Sequence, residues 1–172
     1  MTRKKIKLYN MVFPIWLLWV IPITWFIILP VNFLIDLLVV VLTMKCLKIE
    51  NIKALVKPTI LRIWIFGFIA DLIGTVLMII PSLIQFDYNS QIGMWWYHNL
   101  SNAIMYNPFK SIYAFIWVTV SLVTTAYCIY RFNFKICLKK IDLSLIQKKK
   151  IALSLAVFTA PYAFYLPTAM FF

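Results

Sequence analysis

The chain has 172 residues, 64% hydrophobic and 13% charged. Soluble domains carry about a quarter charged residues, so the composition points to a single multi-pass transmembrane domain over 1–172 with no soluble domain attached. The net charge of +12 comes from lysines and arginines that flank apolar blocks and form no patch among aromatics, so nucleic acid is not an expected partner.

Residues 1–7 hold Arg3, Lys4, Lys5 and Lys7, and an apolar block follows over 8–43. The start of the block resembles the core of a signal peptide, but no small-x-small cleavage site follows that core, where Leu29, Pro30, Val31 and Asn32 stand instead, so cleavage is not expected. Its 36 residues would make a helix of about 54 Å against a hydrocarbon core of about 30 Å. Pro30 with Asn32 is the natural break, which predicts a Pro-rich hairpin with spans 8–29 and 31–47. A re-entrant dip from the inner face gives the same charge pattern and tolerates the interior prolines Pro14 and Pro22.

Residues 45–62 carry Lys45, Lys48, Lys53, Lys57 and Arg62, with Ile49, Ile52, Leu55 and Val56 near helical spacing, which predicts a short surface helix. The third span is expected at 63–80, ended by Pro81. Within it Gly67, Ala70, Asp71, Gly74 and Thr75 share one small, polar face, while Phe66, Ile69, Leu72 and Val76 are bulky. Small residues mark the packed side of a helix in lipid, so this face is the expected packing surface.

An outer loop is expected over 82–108, with Trp95, Trp96 and Tyr97 at headgroup level. Pro108 should open the fourth span, 109–130. Residues 131–150 add seven basic residues, and Ser144 with Gln147 fits a capping box ahead of a fifth span, 151–172. The fold class is thus an all-α integral membrane protein of about five helices. Sixteen of the seventeen basic residues then fall on one side, all but Lys110. That is the positive-inside pattern of a plasma-membrane protein with its N-terminus cytoplasmic and its C-terminus outside. The basic face should attract anionic lipid headgroups. Cys46, Cys128 and Cys137 all fall toward the inner side, so a disulfide framework is not expected.

The sharpest constellation is Asp36 with Asp71. Each lies nine residues from a basic residue at the inner end, Lys45 and Arg62 respectively. Both then sit about 13 Å from that end, on consecutive helices. Ser121 lies at a similar depth, so a polar centre of Asn32, Asp36, Asp71 and Ser121 is expected. Pro161 should also release the carbonyl of Val157. Two apposed carboxyls suit a proton or cation relay, and equally a structural hydrogen bond. They also suit a two-aspartate protease, but the Gly-x-Gly-Asp signature of intramembrane aspartyl proteases is missing: Phe68, Ile69 and Ala70 precede Asp71. With one histidine, His98, and three glycines, the pattern calls for no metal, cofactor or phosphate loop. Two functional expectations follow. The first is a non-enzymatic accessory or assembly subunit whose small-residue faces pack within the chain or on a membrane partner. The alternative is a small oligomeric proton- or cation-coupled transporter or channel that uses Asp36 and Asp71.

Overall fold

Pro30 does not break the helix in which it sits. The computed structural model describes residues 14, 16, 17 and 21–170, and α1 (Trp25–Cys46) runs through Pro30 without interruption. Pro30 lies near the start of α1, where few intrahelical bonds are lost, and the Trp64 indole N–H donates to the neighbouring Leu29 carbonyl at 2.9 Å. The chain turns earlier, in a 3-10 turn Pro22–Thr24 after the extended Ile21, and Thr24 Oγ1 donates back to Ile21 O at 2.7 Å. The expected spans 8–29 and 31–47 are therefore not two helices meeting at Pro30. Their described parts are that turn, a short turn at Trp16 and Leu17, and α1; residues 8–13, 15 and 18–20 lie outside the described residues.

The short surface helix is present as α2 (Ile52–Val56). Val56 is buried and Ile52 and Leu55 pack on the same cluster, while Lys53 and Lys57 are exposed. Asn51 enters α2 with φ 55°, a left-handed conformation that asparagine tolerates.

Helix α3 (Ile60–Leu83) passes the expected stop at Pro81. The carbonyl that Pro81 cannot serve, Leu77 O, accepts the Trp117 indole N–H at 2.9 Å, and Pro81's own carbonyl accepts from Trp96 Nε1 at 2.9 Å and Ser101 Oγ at 2.6 Å. Replacing Trp117 with Phe leaves Leu77 O without a donor and should cost about 1–3 kcal/mol. A thermal-unfolding midpoint unchanged from the parent would show that the indole bond to Leu77 O does not stabilise this turn of α3.

The stretch expected as an outer loop is largely helical. It forms α4 (Gln91–Trp96), a π-type turn Tyr97–Ser101 and α5 (Asn102–Tyr106). Ser90 caps α4 by accepting from Gly93 N at 2.9 Å, and Trp96, Leu100 and Ile104 supply the apolar side. Pro108 opens only a 3-10 turn, Pro108–Lys110, and α6 (Ile112–Phe132) begins after Ser111 and continues into the π-type turn Asn133–Cys137.

Helix α7 (Leu145–Phe158) carries the expected capping box: Gln147 N donates to Ser144 Oγ at 3.2 Å and Ser144 N to Gln147 Oε1 at 3.0 Å. It does not run on to 172. It stops at Phe158, where Thr159 and Ala160 lead into Pro161, because proline lacks an N–H and pushes its predecessor out of the helical region. The chain continues as two 3-10 turns, Tyr162–Tyr165 and Thr168–Met170, the second resting on α5.

The long elements close a ring in which α1 packs on α3, α3 on α6, α6 on α7 and α7 on α1. Three stretches, Pro22–Cys46, Ile60–Leu83 and Ile112–Cys137, are long and apolar enough to cross a membrane. One end of the ring carries the lysine-rich connections; the other carries α4, α5 and their aromatics. Two apolar clusters fill the interior. Val40, Met44, Ile63, Ile129, Ile151 and Leu155 lie toward the basic end. Trp16, Met78, Ile104, Val118 and Phe164 lie toward the aromatic end. Between them, on α3, α6 and the end of α7, come Asp71 and Thr75, Ser121 and Thr125, and Thr159.

Candidate functional site

The polar layer is built where three departures from plain apolar helix coincide. On α3, Ala70, Asp71, Gly74 and Thr75 are buried and Gly67 is half-buried, so the expected packing face is the packed face. The opposite side exposes Leu61, Ile65, Ile69 and Val76. A Cβ at Gly74 would collide with Thr125 Oγ1 and the Phe164 ring, so glycine is what lets α6 and the segment after α7 approach α3. Gly67 serves a different contact. A Cβ there would stand 3.4 Å from Asp36 Oδ2, which places the Asp36 carboxyl directly over the α3 backbone.

Asp36 of α1 and Asp71 of α3 line one cavity of about 190 Å³, together with Asn32, Gly67, Thr159 and the unwound backbone at 160–163. Both carboxyls are withdrawn from the surface, at 6% and 4% exposure. Asn32 Nδ2 donates to Asp71 Oδ2 at 3.4 Å, a long bond, and Thr159, whose Oγ1 donates to Leu155 O at 2.8 Å, lines the cavity beside Asp36. Asp71 Oδ1 is buried and has no hydrogen-bond partner. Among the described residues no lysine or arginine pairs with either carboxyl. The C-terminal end of α7, which carries partial negative charge, also borders the cavity through Phe158 and Thr159. Two carboxylates held there without a counter-ion would cost several kcal/mol each, so the layer is electrically satisfied only with protons or a bound cation. Its donors are oxygen atoms of carboxyl, amide, hydroxyl and backbone groups, which suit hard cations and ammonium groups.

Comparison with known protein families, with characterised proteins and with solved structures finds no match to this chain. The site is therefore read from its own geometry.

Asn32, Asp36 and Asp71 come together as the sequence predicts. Ser121 does not join them. It is buried on α6, where its Oγ donates to Trp117 O at 2.9 Å and its carbonyl accepts from Thr125 Oγ1 at 2.9 Å. The reason is register: Thr125, one turn along, is the α6 residue that meets Gly74. The carbonyl of Val157, released by Pro161, accepts the Tyr162 hydroxyl at 2.6 Å and so is tied off across the break. Sequence reasoning missed Thr159 and Tyr162 as site residues. The signal was present in Pro161, whose effect on α7 is to stop it at this depth. His98 lies at the aromatic end beside Tyr97, with ring centroids 5.3 Å apart, and takes no part in the cavity.

Proposed function

We propose that this is a non-enzymatic, multi-pass integral membrane protein that binds a proton or monovalent cation at the Asp36–Asp71 cavity, acting as a small oligomeric transporter or channel. One observation carries the reading. Two carboxyls from adjoining helices share a cavity with no cationic partner among the described residues, and one of their buried oxygens is unpartnered. In this reading the basic end is cytoplasmic in the plasma membrane, facing anionic headgroups, with the N-terminus inside and the C-terminus outside. The count of about five crossings adds to α1, α3 and α6 the broken span of α7 with its unwound continuation, and a first crossing ahead of Pro22 that falls mostly outside the described residues. The broken span is supported by the run from Lys148, at the basic end, to the contact of Thr168–Met170 with α5 at the other. Broken helices bordering an ion site are tolerated where the irregular backbone lines a cavity.

A second reading, an accessory or assembly subunit, is favoured by α1. Only 11% of its apolar window is buried, against 33% for α3, which leaves a broad face for another copy or a membrane partner. Proton and cation flux into proteoliposomes separates the two. The parent should support flux, and Asp36→Asn and Asp71→Asn should each lower it by at least about tenfold. Equal flux from all three proteins would leave the assembly role.

A further inference from the structure

We propose that the natural occupant of this cavity is the positively charged head of an amphiphile, an alkylammonium or quaternary ammonium compound, entering sideways from the bilayer with its apolar tail along α1. The inference rests on the cation-binding reading above and names the class of cation. Asp71 supplies the observation that a ligand is wanted: it lines the cavity at 4% exposure, and its Oδ1 is buried without a hydrogen-bond partner.

The direction of access decides the class. Toward the basic end the layer is closed by Val40, Ala70, Ile129 and Ala156, all buried. Toward the aromatic end it is closed by Gly74, Thr125 and Phe164 in close contact, with Met78 behind them. The cavity wall that is exposed lies between α1 and the α7 break. It is made of Ile35, Phe158 and Tyr162, at 40%, 68% and 53% exposure. The apolar Ile35 and Phe158 give an inorganic ion little solvation on that side, whereas an amphiphile's tail is at home among them.

The walls continue the same way. Ile35 is also part of an apolar groove of about 490 Å³ along α1, with Leu34, Leu38 and Val41. Leu34 in turn borders a second apolar groove of about 650 Å³ that reaches Phe33 and Trp64. The polar pocket and the apolar grooves thus adjoin at Ile35 and Leu34, an order that suits a charged head joined to a chain. A dehydrated alkali ion would fill only a small part of 190 Å³, whereas a methylated ammonium group occupies much more of it. Tyr162 at the mouth adds an aromatic ring of the kind that receives quaternary ammonium.

The test uses the full chain in lipid nanodiscs, with radiolabelled dodecyltrimethylammonium as the probe and choline as the same head without the tail. Saturable binding is expected, weakened at least about tenfold by Asp71→Asn and by Leu38→Glu, with choline weaker by about a hundredfold or more. Parent-like elution on gel filtration checks that each variant is folded. Probe binding that is non-saturable, or equal in parent and Asp71→Asn, overturns the proposal, and so does choline binding as tightly as the amphiphile. Aspartate-dependent sodium or proton flux without aspartate-dependent amphiphile binding refutes this inference while the cation-binding reading stands. Loss of both flux and binding dependence on Asp71 refutes both.

Discussion

Asp71→Asn should melt at a higher temperature than the parent in nanodiscs free of added ligand. The parent buries a carboxyl whose Oδ1 has no partner and whose neighbour in the cavity is a second acid. The amide keeps the shape and can still accept from Asn32 Nδ2, while the uncompensated charge is removed. Replacing buried, unpaired charge by a neutral group of similar volume is expected to stabilise by about 1–2 kcal/mol here. Ligand should reverse the order. A cation bound by the folded parent at a hundred times its Kd adds about 2.7 kcal/mol, and Asp71→Asn should gain little from the same addition. Differential scanning fluorimetry with and without the ammonium probe reads both effects. If Asp71→Asn is less stable than the parent without ligand, the carboxyl is a structural hydrogen-bonding group and the site reading fails.

The second large effect separates two glycines on one helix. Gly74→Ala should destabilise by about 1–3 kcal/mol, because the new methyl meets Thr125 Oγ1 and the Phe164 ring. Neither neighbour can yield easily: Thr125 Oγ1 is held by its bond to Ser121 O, and Phe164 is fully buried. Gly67→Ala, seven residues earlier, places its methyl at an ordinary 3.4 Å from Asp36 Oδ2. It should be neutral or stabilising by up to about 1 kcal/mol, since alanine is the better helix former. Chemical or thermal denaturation of the two variants side by side tests the contrast. Similar losses in both would mean that the α3–α6 approach is not what Gly74 provides.

Much of this arrangement is legible in the amino-acid sequence. The small face of α3 follows from the spacing of Gly67, Ala70, Asp71, Gly74 and Thr75, because helical periodicity places them together whatever else the chain does. The equal distance of Asp36 and Asp71 from the basic residues is legible for the same reason, since rise per residue is constant along a helix. The Ser144–Gln147 capping box is a local pattern and forms as its spacing predicts.

Proline is where the local pattern misleads. Pro30, Pro81 and Pro161 look alike in sequence, yet α1 and α3 pass through the first two and α7 stops before the third. The difference lies in partners distant in sequence. Tryptophan indoles reach Leu29 O beside Pro30 and Leu77 O below Pro81, whereas at Pro161 the released carbonyl is met by Tyr162 from the far side of the break. Ser121 fails as a site residue on similar grounds. Depth along a helix can be counted, but rotation about its axis against α3 cannot.

The sequence by itself therefore determined the apolar helices, the basic and aromatic ends, the packed face of α3 and the shared level of two aspartates, since all of these follow from composition and from distances along one helix. Only the tertiary structure decided that the aspartates share a cavity and that α7 ends at it. It also decided that the cavity's exposed wall is Ile35, Phe158 and Tyr162. Those features depend on contacts between α1, α3 and α7, which are set by how side chains from distant segments fit and which carbonyls they can satisfy.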